Sequence, residues 1–361
     1  MKRRNFIAGA GAVAAGAAGI VHAPYVIAQP KVRWRMPTTW TPALNVMLGS
    51  AQRLAAMVNE LSGGRLQIEV FPAGQIVPPL GVFDACSQGT VEAFMGASYY
   101  WAGKEPAVQW FTSVPFGMNP GGMSSWYFNG GGLKLWEETY AAFNLVPRPG
   151  PATGPQMAGW FRKKINTLAD YKGLKMRIPG LGGQVVAKAG GTVVLTPGGE
   201  IFAALERGSI DAAEWVGPHD DLQLGLQNTA RYYYYPGWHE PATTLEFAFN
   251  KKAYDALSAD LQRILDHAVT AVSVYGLSDY EAKNAIALEK LKTEYKGKVE
   301  ILALPPTVLR DLRKLAAEVL KQESEKSPMA RKVYASFTKF QTQLGGWRQI
   351  SEAAYHQFVA V

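Results

Sequence analysis

The feature that most limits the fold of this chain is an alternation of short apolar strands with amphipathic helices. Val32, Trp34 and Met36 alternate with arginines, which is the period of a half-buried strand. Apolar residues then step by three or four through 47–61, as in a helix, and residues 66–70 alternate again. Strands separated by helices predict βαβ units and a mostly parallel sheet that is covered on both faces.

The alternation resumes after a proline- and glycine-rich stretch at 146–151, so a second lobe is predicted. The later expected elements are strands at 157–161, 174–178, 212–216 and 247–250, a helix at 201–207, and mostly helix from residue 252 onward, with an amphipathic stripe from Leu309 to Leu320. Two α/β lobes followed by a helical tail are expected. Ligands of open α/β sheets bind beyond the carboxyl ends of the strands, which makes the cleft between the lobes the predicted small-molecule site.

The first 28 residues have the pattern of an export signal. Arg3 and Arg4 stand directly before an uncharged stretch rich in Ala and Gly, and small residues at 26–28 suit a signal peptidase. The paired arginines favour the twin-arginine route and predict a periplasmic location. A retained membrane helix would need about 20 apolar residues, more than this run offers. The Gly9-x-Gly11 pattern follows no predicted strand, so it does not indicate a dinucleotide site.

Composition excludes some classes of function. Hydrophobic residues make up 48% of the chain and charged residues 18%, which is typical of a compact globular protein. Loss of Lys2, Arg3 and Arg4 with the signal would lower the formal net charge from +8 to +5. The chain has no long basic tract, so nucleic acid is not an expected partner. Its single cysteine, Cys86, lies in an apolar helical stretch and is predicted to be a packed thiol.

The sequence carries little of the chemistry of an enzyme. It has no HExxH or CxxC metal pattern, no GxSxG elbow and no phosphate-binding loop. The glycine-rich residues 180–183 are predicted to form a flexible turn after a strand. His219 and His239 lie close to acids in the sequence, so an exported hydrolase or lyase is an alternative. A solvated or structurally bonded role is favoured for both histidines.

Two charged residues at predicted strand ends fit the binding of a small anion. The guanidinium of Arg177 can receive a carboxylate through two parallel hydrogen bonds, although a surface or internal ion-pair role is equally open. Glu214 lies in an apolar segment, where a buried carboxylate is costly unless it is paired or bound to a metal. A hard cation would answer that need, with the side-chain oxygen of Gln156 and backbone carbonyls as further ligands. A structural glutamate is the alternative.

Several motifs together resemble one family. The stretches 156–162, 173–177 and 211–218 resemble the extracytoplasmic receptors of TRAP transporters, DctP type. The residues 130–132 and 232–238 resemble the subgroup that binds 2-oxo acids and related monocarboxylates. The resemblance runs over essentially the whole chain after the export signal. It implies a binding protein that captures a small organic anion and delivers it to TRAP membrane subunits, rather than an enzyme.

The resemblance also implies a fold and a set of site residues. The fold is an α/β, two-lobed periplasmic binding protein of type II-like architecture that closes on its ligand, with a long helix bridging the lobes. Arg177 matches the arginine that grips the carboxylate. Gln156, Glu214 and the carbonyl of Trp215 match the ligands of a metal ion, and the same Gln156 and Trp215, with Tyr100 and Glu240, are expected to contact the ligand.

The expected organisation divides the chain into four parts. The boundaries are residues 1–28 for the export signal, 29–153 with about 245–285 for lobe I, 154–244 for lobe II, and 286–361 for a helical C-terminal region. Some members of the family dimerise through their C-terminal helices, and the stripe from Leu309 to Leu320 would permit a homodimer. Packing of that stripe on its own core is the simpler interpretation.

Counting charges limits the ion and the ligand. Arg177 and one ligand carboxylate cancel, so Glu214 alone would be balanced by Na⁺, whereas an ionised Glu240 in the same pocket would favour Ca²⁺. The aromatic residues Tyr99, Tyr100, Trp101 and Trp215 are expected to shape a pocket that excludes long chains. A C4-dicarboxylate receptor is the rival within the binding class. It would need a second basic or amide anchor, where this chain has Glu240.

Overall fold

The strands of the described residues form three sheets, of which two are joined by a single β-bridge. The computed structural model describes residues 31–359, so the predicted export signal lies outside the described residues. The strands of this part are β1 (Val32–Pro37), β2 (Leu66–Phe71), β3 (Ala93–Gly96), β4 (Leu145–Ala152), β5 (Gly159–Phe161), β6 (Lys175–Arg177), β7 (Thr192–Val194), β8 (Ala212–Ala213), β9 (Tyr232–Tyr235), β10 (Thr244–Asn250) and β11 (Glu300–Ala303).

Helices cover the sheets and make up most of the C-terminal part. They are α1 (Asn45–Leu61), α2 (Val82–Ser87), α3 (Pro120–Asn129), α4 (Gly132–Ala141), α5 (Gly180–Lys188), α6 (Gly198–Glu206), α7 (Pro218–Gln223), α8 (Lys251–Asp255), α9 (Ala259–Thr293), α10 (Pro306–Ser324), α11 (Pro328–Ile350) and α12 (Glu352–Phe358). Asn119, Asn250 and Ser327 begin α3, α8 and α11, because their side chains accept a backbone N–H of the first turn. None of the described helices is both long and apolar enough to cross a membrane.

Each sheet belongs to one lobe. Lobe I contains the β1-β2 sheet and the β3-β10-β4 sheet, which are joined by a bridge between Thr38 and Met95. Lobe II contains the third sheet, of order β11-β9-β5-β8-β6-β7. β10 is antiparallel to both of its neighbours, and so is β5. The prediction of a mostly parallel sheet is therefore wrong. β5 and β10 are the strands that the chain enters on crossing from the other lobe, and they run against their neighbours.

The stretch 146–151 is the central part of strand β4. Pro147, Pro149 and Pro151 recur at every second position, so all three lack an N–H on the same side of the strand. β4 is the edge strand of its sheet, and it pairs with β10 through the side opposite to the one that lacks N–H groups. Helix α9 covers the outer side, where Ser273 donates to the carbonyl of Pro149 at 2.9 Å. Proline thus leaves no unpaired N–H beneath the helix.

The chain crosses between the lobes at two segments and is braced by α9. The first crossover segment, 153–158, leads from β4 to β5, and the second, 236–243, leads from β9 back to β10. Near its start, α9 contacts lobe I, because Asp266 accepts two hydrogen bonds from Arg148 at 2.8 and 3.1 Å. Nearer its end it contacts lobe II, where Tyr280 donates to Asp220 at 2.9 Å. This is the long bridging helix that the family resemblance implied.

The C-terminal region returns to both lobes. β11 extends the lobe II sheet, and the stripe on α10 packs against that sheet's core through Leu312, Ala316 and Val319, all buried. α11 packs on lobe I through Val333 and Phe337. The stripe is thus part of the protein's own core. The exposed apolar side chains of this region lie further along, at Trp347, Ile350, Tyr355 and Phe358.

Candidate ligand and metal site

Arg177, at the end of β6, is the basic centre of the site. It is 1% exposed, and its Nη1 donates to the backbone carbonyl of Glu214 at 2.6 Å and to Glu214 Oε2 at 3.3 Å. Its Nε donates to the Thr196 carbonyl at 3.2 Å, and the guanidinium lies 4.9 Å from the ring centroid of Trp215. Nη2 has no hydrogen-bond partner among the described residues. Two of the three guanidinium nitrogens are therefore held by the protein, and the third, Nη2, can bind an anion.

Glu214 follows β8 and is fully buried. Its Oε2 faces Arg177, whereas Oε1 accepts no hydrogen bond from any described residue and lies 3.5 Å from Nε2 of His239. Burial raises the pKa of Glu214 to about 8, and Arg177 counteracts only part of that effect. A buried carboxyl with one unpartnered oxygen is costly unless another group completes its coordination.

The second crossover segment places His239 and Glu240 against Glu214. Glu240 accepts a hydrogen bond from the hydroxyl of Thr243, and burial raises its pKa to about 8. Neither ring nitrogen of His239 has a hydrogen-bond partner among the described residues, and burial lowers its pKa to about 4. Glu214, His239 and Glu240 each present a potential metal ligand, and these three atoms lie within 4.8 Å of one another. The burial of His239 rules out a solvated role, whereas a structural role is compatible with its 3.5 Å contact with Glu214.

Gln156, on the first crossover segment, offers a free acceptor. Its Nε2 donates to the hydroxyl oxygens of Thr153 at 3.0 Å and Thr243 at 2.9 Å, which assigns the amide orientation. Its buried Oε1 is left without a partner in the described part of the chain. Thr243 also donates to Glu240, so one hydroxyl links the amide to the acid.

Aromatic side chains close the site. Trp215 lies edge-on to Trp40 at 6.2 Å between ring centroids, and its indole N–H has no partner within the described residues. Burial raises the pKa of Tyr100, and the nearby charge of Arg177 counteracts part of that effect. Tyr99 packs on Tyr100 at 4.8 Å between ring centroids.

Trp101 does not belong to this wall, although it was expected there. Its indole N–H donates to Glu246 at 2.6 Å, and its ring lies 5.2 Å from Phe83 in the core of lobe I. The short helical turn Ser98–Trp101 directs adjacent side chains in different directions, which sequence adjacency does not reveal.

Two further buried acids, Asp220 and Asp221, lie next to the segment 214–216, and no sequence pattern was used to predict them. Asp221 accepts hydrogen bonds from Trp160 at 2.9 Å, Tyr233 at 2.7 Å and the backbone of Val216 at 3.2 Å. Asp220 accepts from Tyr280 on α9. Both acids are buried, and burial raises the pKa of Asp220 to about 7 and that of Asp221 to about 6. An Asp-Asp pair in an otherwise apolar stretch was the available signal.

The glycines at 180–183 begin α5 instead of forming a flexible turn. A β-carbon on Gly182 would lie 2.8 Å from that of His239, and one on Gly183 would lie 2.7 Å from the Ile178 carbonyl. They are needed for close approach of the helix to the second crossover segment and to the strand end. The helix start therefore helps to enclose the site.

The remaining histidine candidate lies elsewhere. His219 is half-buried beside α9, and its Nε2 is 2.9 Å from Asn45 Oδ1. The structure thus brings Arg177, Tyr100, Trp215, Gln156, Glu214 and Glu240 together and leaves His219 outside. Cys86 is buried in the core of lobe I, as predicted for a packed thiol.

The free atoms of the cluster form two chemical groups. Gln156 Oε1 and Glu214 Oε1 are buried oxygens that accept no hydrogen bond from any residue of the described part, and oxygen ligands fit a hard cation such as Na⁺ or Ca²⁺. Arg177 Nη2 and the Trp215 indole offer N–H donors, which fit an anion. The residues present therefore suit a cation and a small anion side by side.

The sequence is similar to receptors of one family. It matches the DctP family, described as bacterial extracellular solute-binding protein, family 7, over residues 37–327. It is 42% identical to a monocarboxylate 2-oxoacid-binding periplasmic protein of Nostoc sp. over 331 residues, 92% of this chain and 90% of the relative.

Two solved structures are similar as well. One is a TRAP periplasmic solute binding protein from Pseudoalteromonas atlantica T6c with bound sodium and pyruvate, 41% identical with a TM-score of 0.88, covering 91% of this chain and 99% of that one. The other is a TRAP transporter solute binding protein from Bordetella bronchiseptica RB50, a dimer with calcium and picolinate in one site, 38% identical with a TM-score of 0.88, covering 91% and 97%. The predictions of a two-lobed α/β fold and of a binding protein rather than an enzyme are thereby confirmed. The chain belongs to the DctP family of bacterial extracellular solute-binding proteins.

Proposed function

We propose that the protein captures a short 2-oxo or 2-hydroxy monocarboxylate, such as pyruvate or lactate, and delivers it to TRAP membrane subunits. The observation that carries this proposal is the convergence of unpartnered buried polar atoms on Arg177, Gln156, Glu214 and Trp215. Buried polar groups without partners are rare in folded proteins, so a cluster of them indicates a ligand that supplies the missing bonds. The names of the similar proteins favour the same class of ligand.

In this proposal each residue has a distinct role. Nη2 of Arg177 receives the ligand carboxylate, and Tyr100 lies near the same guanidinium. Gln156, Glu214 and the carbonyl of Trp215 would hold the cation, which would supply positive charge to the oxygens of the ligand. Glu240 and the ring of Trp215 line the rest of the pocket.

The ion is Na⁺ or Ca²⁺, and the similar structures contain one or the other. Arg177, Glu214, a monocarboxylate and Na⁺ sum to zero, and an ionised Glu240 shifts the balance to Ca²⁺. A C4-dicarboxylate fits less well, because Glu240 stands where a second cationic anchor would be needed.

A thermal-shift panel on refolded, ligand-free protein tests the main proposal. Pyruvate and lactate should raise the melting temperature in the presence of Na⁺ or Ca²⁺, because ligands that bind only the folded state stabilise it. Succinate should not. Arg177→Ala should abolish the response. The absence of a shift with any short acid, with and without either ion, would refute the proposal.

Lobe boundaries at 29–153 with about 245–285, 154–244 and 286–361 are part of the same proposal. They are supported by the two crossover segments and by the division of the sheets. Limited proteolysis of ligand-free protein should cut in the crossover segments, and saturating ligand should suppress the cuts.

We further propose a homodimer through the C-terminal region and export by the twin-arginine route to the periplasm. The exposed side chains Trp347, Ile350 and Phe358 support the first, and a similar structure is a dimer. Light scattering of the wild type and of a Trp347→Lys/Phe358→Lys variant tests it. Replacement of Arg3 and Arg4 by lysine, followed by cell fractionation, tests the second.

A further inference from the structure

A second pocket is lined by residues of both crossover segments and of α10. Its volume is about 570 Å³, and its wall is mostly apolar. Phe116, Trp238, Pro241 and Leu309 provide much of that wall, and Gln156 and Gly237 line it as well. Arg177, Glu214 and Trp215 are not among its lining residues, so the pocket is distinct from the proposed ligand site.

Phe116 is held in the pocket wall in an unusual conformation. Its φ is +56°, a left-handed value that residues with a β-carbon seldom adopt. Its N–H donates to the Trp238 carbonyl at 2.8 Å, and its carbonyl accepts from Gln341 at 3.2 Å. The ring stacks on Trp238 at 5.7 Å between centroids. Strained residues that the surroundings hold in place are concentrated at binding and clamp sites.

Two arginines of α10 provide positive charge at the pocket. Arg310 and Arg313 both line it, and neither forms an ion pair or hydrogen bond with any described residue. The guanidinium of Arg313 lies 4.3 Å from the centroid of the Phe116 ring. Arg313, Phe116 and Trp238 therefore form one continuous stack in the pocket wall. The pocket therefore combines an apolar interior with unneutralised cationic groups.

We propose that this pocket, defined by Phe116, Trp238, Leu309, Arg310 and Arg313, binds an apolar monocarboxylate, preferably an aromatic one. The apolar body would pack between Phe116, Trp238 and Leu309, and the carboxylate would pair with Arg310 and Arg313. A purely apolar molecule would form no ion pair with Arg310 and Arg313. A short acid such as pyruvate would leave the apolar wall exposed to water. The chemistry thus differs from that of the Arg177 site.

The position of the pocket couples it to the primary site. Its lining includes Gln156 and Gly237, and Trp238 directly precedes His239 and Glu240. An occupant that fixes these segments changes the free energy of any rearrangement in which they take part, so affinity at the Arg177 site should change, and the coupling must be reciprocal.

Naphthalene-2-carboxylate is the probe for this pocket, with neutral naphthalene-2-carboxamide as its control. Calorimetry with the Arg177→Ala variant, and with wild type saturated with pyruvate and Ca²⁺, should both detect binding of the carboxylate at millimolar concentration. The carboxamide should bind at least about tenfold more weakly, the factor that corresponds to loss of one good charged contact. Binding that survives in Arg177→Ala would stand even if the proposed function failed.

Charge-removing variants on one helix complete the test. Arg310→Gln/Arg313→Gln should weaken the carboxylate about tenfold or more, whereas Lys314→Gln/Lys321→Gln, which removes two charges from α10 outside the pocket, should leave it unchanged. Equal effects of the two variants, competition with pyruvate for the Arg177 site, or no binding to the wild type would each overturn the proposal. A crystal structure with the probe would locate it directly.

Discussion

Two glutamates are buried in this protein to the same extent, and they have opposite surroundings. Glu246, in lobe I, has both carboxyl oxygens bonded, one by the Trp101 indole at 2.6 Å and the other by the Tyr140 hydroxyl at 2.7 Å. Glu214, between the lobes, has one oxygen without a partner and stands among other unpartnered polar atoms. Both are fully buried. Burial therefore does not distinguish a structural acid from a binding one, whereas the completeness of its hydrogen bonds does.

The test with the largest expected effect on this comparison replaces each glutamate by glutamine. Glu214→Gln should lower pyruvate affinity about 100-fold or more, since it removes the charged oxygen proposed to hold the cation. Glu246→Gln should leave affinity within about twofold, because that site is already complete. Calorimetry in Ca²⁺ measures both. Similar losses in the two variants would mean that satisfaction of hydrogen bonds does not separate the two roles.

The next test uses the pH dependence of stability. Burial raises the pKa of Glu246 to about 7, from an ordinary value of 4.5, and its two hydrogen bonds offset part of that effect. The folded state thus holds the proton more tightly than the unfolded state. The resulting stabilisation is complete below about pH 4.5 and is lost as the pH rises through 7.

The variant Glu246→Gln cannot ionise, so it should gain about 2–3 kcal/mol of unfolding free energy relative to wild type between about pH 5 and pH 8. Urea denaturation at both pH values measures the change. Thr139→Ser, a neighbour of Tyr140 that carries no charge, serves as a control and should show no such gain. If the difference in unfolding free energy between Glu246→Gln and wild type is the same at pH 5 and pH 8, Glu246 does not titrate in this range.

A smaller effect is expected when Arg177 becomes lysine. The charge is kept, but lysine cannot bind the Glu214 carbonyl and present a second parallel donor to the ligand at once. Affinity for pyruvate should fall about tenfold. An unchanged affinity, measured by calorimetry, would assign Arg177 to the structure of lobe II instead of the ligand.

The smallest effect separates two tyrosines. Tyr100→Phe removes a hydroxyl that lies near Arg177 and that we expect to contact the ligand. It should weaken ligand binding about three- to tenfold, the range of one hydrogen bond. Tyr140→Phe removes a hydroxyl bonded to Glu246 and should change stability but not affinity. The reverse pattern would exchange the roles of the two regions.

Much of the lobe architecture could be predicted, because it depends on local periodicity. Strands β1, β2, β6 and β10 and helices α1 and α10 follow from apolar spacing that survives in the fold. β4 could not be predicted in this way, since Pro147, Pro149 and Pro151 exclude a central strand. An edge strand tolerates these prolines, but the sequence does not show which strand lies at the edge of the sheet. The direction of β5 and β10 was also hidden, because it depends on where the chain crosses between the lobes.

The site was predictable where one residue type at a strand end carried the signal, as with Arg177 and Glu214. Their mutual contact is confirmed by the structure, whereas their roles toward a ligand stay predictions. The burial of His239 against Glu214 was hidden, because these two residues are distant in sequence. Trp101 was misplaced because the short helical turn directs its indole N–H to Glu246 in the core of lobe I.

The proline edge of β4 has a mechanical consequence. Along 147–151 the strand offers α9 no N–H at alternate positions, so the helix rests on a surface that hardly engages it by backbone hydrogen bonds. The principal polar anchors there are the side chains of Ser273 and Asp266. Apolar side chains therefore hold the helix on lobe I, and Leu265, Val269 and Val272 are buried in the core there. A shift of α9 along β4 would have to break this packing, so the helix should move together with lobe I as one rigid body.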